Sequence, residues 1–82
     1  MMKAIININY KDGILDPEGV TISKALDNIG INGIHELSVG KCIEMNLDCS
    51  SKDEAVKIVE EACNKLLANP NTETYKYKIT EE

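Results

Sequence analysis

The sequence contains no arginine, no phenylalanine and no tryptophan, and each absence removes a class of function. An RNA-recognition sheet stacks bases on exposed aromatic rings, and an acylphosphatase-like enzyme holds phosphate with an arginine. All nine basic residues are lysines, scattered among fourteen acidic residues, and the net charge is −5. Clustered basic side chains supply most of the affinity for phosphate backbones, so we expect binding neither to nucleic acid nor to an anionic membrane.

Long apolar runs and cysteine pairs are missing too. No stretch approaches the ~20 apolar residues that span a bilayer, and the N-terminus lacks the apolar core of a secretory signal. The spacing of Cys42, Cys49 and Cys63 matches no zinc motif and no paired-cysteine copper loop, so we expect reduced thiols in a cytoplasmic protein. The length predicts one domain over residues 1–82, whose small core favours association with other chains.

Four segments alternate apolar and polar residues and are predicted to be strands. They cover residues 4–10, 34–39, 41–49 and 74–79. In the last of them, Tyr75, Tyr77 and Ile79 are expected to lie on one side of the strand. Lys76 and Lys78 are then expected to point the other way, where they could protect an edge strand against pairing with other chains.

The first helix is predicted to run from about Pro17 to Ile29, stopped by Gly30. Asp16 precedes the proline, and both the extended dihedrals before proline and the carboxylate suit an N-cap that accepts from an amide of the first turn. Proline is favoured at the first helical position because its missing N–H would be unpaired there anyway. The predicted buried stripe of this helix is Ala25, Leu26 and Ile29.

The second helix opens with a capping box, in which Ser51 accepts from the Glu54 amide. Apolar residues then recur at helical spacing and form the predicted buried stripe: Ala55, Val59, Ala62, Cys63, Leu66 and Leu67. Glu60 and Glu61 are interpreted as a solvated face of this helix, and Asn69-Pro70 ends it because proline cannot continue the hydrogen-bond ladder.

The resulting order, β-α-β-β-α-β, predicts a ferredoxin-like α+β sandwich. Right-handed crossovers place the four antiparallel strands in the order 4-1-3-2, with both helices on one face of the sheet. The Gly40-Lys41 pair is then the tight turn between the second and third strands.

The stretch "GILDPEG", residues 13–19, raises the question of a ligand-binding loop. Its carboxylates would repel an anion, and it lacks the phosphate-cradle pattern. Gly19 in the first helical turn costs stability, which indicates that another backbone approaches closely, from this chain or from a partner. His35 is the one histidine and is interpreted as a solvated strand position, with a general base as the alternative. No nucleophile–base pair, metal site or cofactor site can be assembled on this chain.

Three segments together resemble the PurS family, the small subunit of phosphoribosylformylglycinamidine synthase. They are "GILDPEG", "GIHELSVGK" and "CNKLLANPNTETY", in the family's order and spacing over essentially the whole chain. The resemblance implies a homodimer without catalysis of its own, which joins a PurQ-like glutaminase and a PurL-like synthetase and helps ammonia pass between them. ATP, Mg and glutamine would be used by those partner subunits of the ATP-dependent complex, and no cofactor by this chain.

The resemblance also implies a set of candidate partner-interface residues: Gly13, Asp16, Pro17, Gly19, Gly40, Lys41, Asn69, Pro70, Glu73 and Tyr75. Leu66, Leu67 and Ala68 match the family as well. The sequence departs from the family pattern at Val20, at Ser38 and at Asn71-Thr72. These departures are expected to change the exact contacts with partners and to leave the fold unaffected. The alternative function is an ACT-like module that senses a small molecule, since ACT domains share the β-α-β-β-α-β order.

Overall fold

The structure is a computed structural model that describes residues 1–81, with secondary structure in the order β-α-β-α-β. The elements are β1 (Met2–Tyr10), α1 (Pro17–Asn28), β2 (Lys41–Leu47), α2 (Lys52–Ala62), a π-helical turn that continues α2 (Cys63–Leu67), and β3 (Glu73–Glu81). Within the described part of the chain, no helix has both the length and the apolar character needed to cross a membrane.

The three strands form one antiparallel sheet in the order β2-β1-β3. Alternation in β1 buries Ala4, Ile6 and Ile8 on one face, as predicted, and α2 packs on that face over β1 and β3. Within residues 1–81 the buried apolar residues are Met2, Ala4, Ile6, Ile8, Leu47, Ala55, Val59, Cys63 and Ala68. The core therefore lies between the inner sheet face and α2.

The predicted four-stranded sheet of order 4-1-3-2 is wrong, although the α+β class is consistent with the structure. Residues 31–40, which include the predicted strand 34–39, have no regular secondary structure. The Val39 amide, which a strand would offer to a neighbour, donates instead to the Asp16 carboxylate. The Gly40-Lys41 hairpin is therefore absent, and the ACT alternative loses the strand order on which it rested.

The prediction that both helices cover one sheet face is also wrong, because α1 has no extensive contact with the sheet or with α2. Of the predicted stripe, Ala25 is exposed, Ile29 is 72% exposed and Leu26 is half-buried. The Cα radius of gyration is 16.2 Å, whereas a compact chain of this length would have roughly 12 Å. We call α1 with its flanking residues 29–34 the α1 arm.

The second helix begins as predicted, with the Glu54 amide donating to the Ser51 hydroxyl at 3.2 Å. Its end differs, because the Ala68 amide donates to the Cys63 carbonyl at 3.1 Å and closes a π-helical turn. A π turn holds one more residue than an α turn and so rotates the side chains that follow. Leu66, predicted to be buried, is consequently 83% exposed, while Ala68 enters the core.

Candidate functional site

The three sequence segments that carry the family resemblance meet at one end of the sheet, where β1 ends and where β2 and β3 begin. The Lys11 amide after β1 donates to the Thr72 carbonyl at 2.8 Å, and the Lys11 ammonium donates to the Pro70 carbonyl at 2.7 Å. Lys41 at the start of β2 lies 3.9 Å from the Glu73 carboxylate at the start of β3. Residues far apart in sequence thus form one surface.

Asp16 ties α1 to the irregular segment 31–40. One carboxylate oxygen accepts from the Gly19 amide at 2.9 Å, which confirms the predicted N-cap. The other oxygen accepts from the Val39 amide at 2.8 Å. Both hydrogen bonds favour the charged carboxylate and hold the pKa of Asp16 below its usual value. The bond from the Val39 amide has the larger effect, and the bond from the Gly19 amide has the smaller one. Asp16 therefore links the first turn of α1 to segment 31–40, and we call this pair of hydrogen bonds the Asp16 bridge.

Gly19 answers the question raised by the opening loop. A Cβ atom at this position would lie 2.9 Å from the Leu37 carbonyl oxygen and 2.7 Å from an Asp16 carboxylate oxygen. The closely approaching backbone is therefore that of this chain. Gly40 is constrained in the same way, since a Cβ there would lie 2.7 Å from the Ile8 carbonyl oxygen.

The turn between the π-helical turn and β3 is organised by two of the candidate residues. The Asn69 amide donates to the Glu73 carboxylate at 2.7 Å, and the Glu73 amide donates to the Asn69 carbonyl at 2.8 Å. The Asn69 side chain also accepts from the Asn71 amide at 2.9 Å. Glu73 thus faces two ways: it closes this turn, and it offers its second oxygen to Lys41.

A cleft of about 220 Å³ opens at this end of the sheet, which we call the strand-end cleft. Its lining residues are Ile8, Tyr10, Asp16, Glu18, Val39, Gly40, Lys41 and Glu73. Three carboxylates face one ammonium group, so the cleft favours cationic and hydrogen-bond-donating groups.

The candidate interface residues divide among three places. Asp16, Gly40, Lys41 and Glu73 line the strand-end cleft, and Gly13 lines a larger groove beside it. Pro17 and Gly19 form the first turn of α1 behind the cleft, while Asn69 and Pro70 form the adjoining turn. Tyr75 lies elsewhere, on the sheet face under α2. Contact of these residues with a partner stays a prediction.

His35 lies exposed in the irregular segment 31–40 and does not line the strand-end cleft. Among residues 1–81, no cluster of three or more histidine, cysteine, aspartate or glutamate side chains is placed to hold a metal ion.

One polar cluster was missed by the sequence interpretation. Glu60, expected to be solvated, is half-buried and accepts from the Tyr75 hydroxyl at 2.6 Å and from the Tyr77 hydroxyl at 2.5 Å. The two rings stack with centroids 6.3 Å apart. Both hydrogen bonds lower the pKa of Glu60, and the bond from Tyr75 has a larger effect than the bond from Tyr77. The sequence contains one indication that Glu60 is partly buried. Glu60 directly follows the buried Val59 and so flanks the apolar stripe of α2.

The tyrosine–glutamate cluster should make stability fall at alkaline pH. The Glu60 carboxylate, which favours the neutral phenol, raises the pKa of Tyr75 to about 12 and raises that of Tyr77 as well. A raised folded-state pKa stabilises the protein fully below the unfolded value of 10.0 and loses that contribution as pH rises toward about 12. Glu60→Gln should shift tyrosine ionisation to lower pH, as measured by ultraviolet titration.

The matched control for that titration is Glu61→Gln. Glu61 lies next in sequence, but its carboxylate is exposed and pairs with Lys65 at 3.0 Å. An equal shift of tyrosine ionisation in both variants would show that the cluster is not responsible.

The Asp16 bridge predicts a local effect of Asp16→Asn. The asparagine oxygen can still cap the Gly19 amide, but its amide group would face the Val39 N–H, so that bond is lost. We expect hydrogen exchange at the Val39 amide to accelerate roughly tenfold, while amides of β1 keep their protection. Asp12→Asn is the control, since that exposed carboxylate accepts no hydrogen bond within residues 1–81. Equal acceleration in both variants would contradict the bridge.

The fold and the cleft define a small α+β protein that presents binding surface. A family model described as PurS, phosphoribosylformylglycinamidine (FGAM) synthase, matches residues 3–81. The PurS subunit of Methanocaldococcus jannaschii is 39% identical over 79 residues, which span 96% of this chain and 95% of that protein. The Bacillus subtilis subunit is 35% identical over 81 residues, which span 99% and 95%.

Solved structures agree with these relatives. The crystal structure of M. jannaschii PurS, described as one of the subunits of formylglycinamide ribonucleotide amidotransferase, has a TM-score of 0.90 and 38% identity, covering 100% of this chain and 99% of that one. A chain in the structure of PurLQS from Thermotoga maritima has a TM-score of 0.88 and 32% identity, covering 96% of each. The chain belongs to the PurS family, and the resemblance noted in its sequence is confirmed.

Proposed function

We propose that this chain is the non-catalytic assembly subunit of phosphoribosylformylglycinamidine synthase in purine biosynthesis. As a single domain over residues 1–82 it acts as a homodimer in the cytoplasm. It joins a PurQ-like glutaminase subunit to a PurL-like synthetase subunit, and so keeps the source of ammonia close to its site of use. ATP, Mg and glutamine are then handled by those partners.

The observation that carries this proposal is the uncovered α1 arm. An isolated helix of fewer than ~12–15 residues is marginal in water, and most helical stability in proteins comes from packing. The twelve residues of α1 receive little packing from their own chain. Exposed apolar side chains lie along the α1 arm and in the loop before it. They are Leu15, Val20, Ile22, Ile29, Ile31 and Ile34. A surface of this kind marks a protein–protein contact.

A second copy of this chain is the occupant that the fold favours. Because α2 covers β1 and β3, the inner side chains of β2, Ile43 and Met45, are only partly buried. Each protomer thus has an uncovered apolar helix and an incompletely covered sheet. A dimer can bury both kinds of surface, which an 82-residue chain cannot do alone.

The contact with the two larger subunits is supported by the likeness to the chain in PurLQS from T. maritima. Within this chain, the strand-end cleft offers the polar surface for such a contact. It gathers residues from all three segments that resemble the family, and its carboxylates suit a basic partner surface.

The experiment that tests the proposal is size-exclusion chromatography with light scattering. The protein is run alone and mixed with its PurQ-like and PurL-like subunits, with and without nucleotide and glutamine. We expect about twice the monomer mass of 9.1 kDa alone, and co-elution with both partners in the mixture. The proposal fails if the three proteins elute separately under every condition, or if the purified chain turns over the substrate by itself.

A further inference from the structure

The sheet face opposite α2, which we call the outer sheet face, is left open by every other element of the described chain. Its side chains alternate with the core-facing ones along each strand. On β3 they include Lys76 and Lys78, both exposed, and on the central strand they include the half-buried Ile5 and the exposed Asn7. The face is therefore mostly polar around a small apolar centre.

Three lysines lie on this face, and two of them, Lys76 and Lys78, lack compensating charge. In the sheet register Lys76 lies opposite Asn7 and Lys78 lies opposite Ile5, so neither cross-strand neighbour is acidic. Within residues 1–81 neither ammonium has an ion-pair partner. Two residues apart on one strand, the charges are roughly 7 Å from each other and repel.

Other lysines of the chain do have an acidic neighbour, including Lys3 on the same face, which lies 3.3 Å from Glu44. Lys41 lies beside Glu73, and Lys65 pairs with Glu61 one helical turn away. The protein as a whole is acidic, with fourteen acidic residues, so two unpaired lysines on an open face make that face locally positive. A locally positive face fits an incoming surface of opposite sign.

The geometry points to the outer sheet face as a docking surface for an acidic face of a partner subunit, with Lys76 and Lys78 as its charge-pairing residues. This inference rests on the proposed function and adds the face and the chemistry of one contact. A second copy docking through the same face would bring together four lysines that have no ion-pair partner, so the occupant is a different protein. Nucleic acid fits less well, because the face carries two free lysines and no aromatic ring to stack a base.

Edge protection explains the same two lysines differently. A lysine on an edge strand discourages pairing with strands of other molecules, and β3 is an edge strand. The two explanations predict different losses. Without edge protection the isolated protein aggregates, whereas without a docking charge the complex forms more weakly and its salt dependence decreases.

The experiment measures binding of the homodimer to each larger subunit separately, at several salt concentrations. It compares wild type, Lys76→Glu with Lys78→Glu, and the neutral pair Lys76→Gln with Lys78→Gln. The control is Lys52→Glu with Lys57→Glu, two exposed lysines of α2 that undergo the same change of net charge. We expect the Lys76 and Lys78 pair of glutamates to weaken binding to one subunit at least ~10-fold, and the control to stay within ~2-fold.

Three results would overturn the inference. Equal weakening by the control pair would mean that only net charge matters. Unchanged binding together with aggregation of the neutral variant would assign the lysines to edge protection. Unchanged binding without aggregation would leave both lysines without either role. If the glutamate pair fails to fold, the neutral pair decides, with a reduced salt dependence expected. Failure of wild type to bind either subunit would refute the proposed function itself, a result distinct from the first three.

Discussion

Replacing Ile6 by alanine is expected to destabilise the protein by about 2–5 kcal/mol. Ile6 lies on the central strand with its side chain fully buried in the core cluster beneath α2. Truncation removes the transfer free energy of the lost methyl and methylene groups and leaves a cavity that a packed sheet cannot close. A domain of this length has a total stability of only about 4–12 kcal/mol, so the loss is a large fraction of it.

The adjacent residue supplies the control for that measurement. Ile5 is the same side chain on the same strand, but it points to the outer sheet face and is half-buried. Urea unfolding should shift the midpoint far more for Ile6→Ala than for Ile5→Ala, with little change of the slope. Because association stabilises the folded chain by mass action, both variants should be compared at several protein concentrations. Equal shifts would contradict the assignment of the core to the α2 side.

Elements that are determined by local chemistry were predictable from the sequence. The alternation in β1 and β3 gave the correct faces because a strand with one buried side repeats every second residue. Asp16 and Ser51 were recognised as N-caps because a cap bonds an amide only three residues away. The energetic cost of Gly19 in a helix also indicated correctly that a backbone approaches it.

Elements that depend on distant or intermolecular contacts were not predictable. Segment 34–39 alternates like a strand, but Asp16, twenty-three residues from Val39, takes the amide that a strand would use. The exposure of Leu66 depends on a π-helical turn, which apolar periodicity does not encode. The buried stripe expected on α1 is wrong for Ala25 and Ile29, which are exposed, because α1 makes no extensive contact with α2 or the sheet within residues 1–81.

The candidate site shows the same division. Sequence segments identified Asp16, Gly40, Lys41 and Glu73, and folding brings all four to the strand-end cleft. The role of Glu60 was missed because its partners lie on another element, β3, and a glutamate beside an apolar stripe is usually solvated. Residues of the cleft were predictable because they lie in segments that match the family. Hydrogen bonds between side chains of different elements, such as those from Tyr75 and Tyr77 to Glu60, were not predictable.

Placing lysine at both Ile29 and Ile31 is expected to convert the proposed homodimer into a monomer. Both side chains are exposed on the α1 arm, at 72% and 47% of their accessible surface, so the single protomer tolerates a charge there. In a dimer that buries the arm, each lysine would place an unpaired ammonium group in an apolar contact, and the two-fold symmetry doubles the cost. We expect the dissociation constant to rise roughly a hundredfold or more.

The control pair is Ile58→Lys with Leu66→Lys, which makes the same chemical change at exposed apolar positions of α2 and its π-helical turn. Light scattering should give the monomer mass of 9.1 kDa for the arm variant and twice that for the control, and the two variants should have similar circular dichroism spectra. Loss of the dimer should also lower the urea midpoint and make it independent of protein concentration, since the α1 arm would then lack its covering surface. A dimer that persists in the arm variant would mean that the protomers associate through another surface, and that the apolar side chains of α1 contact a larger subunit instead.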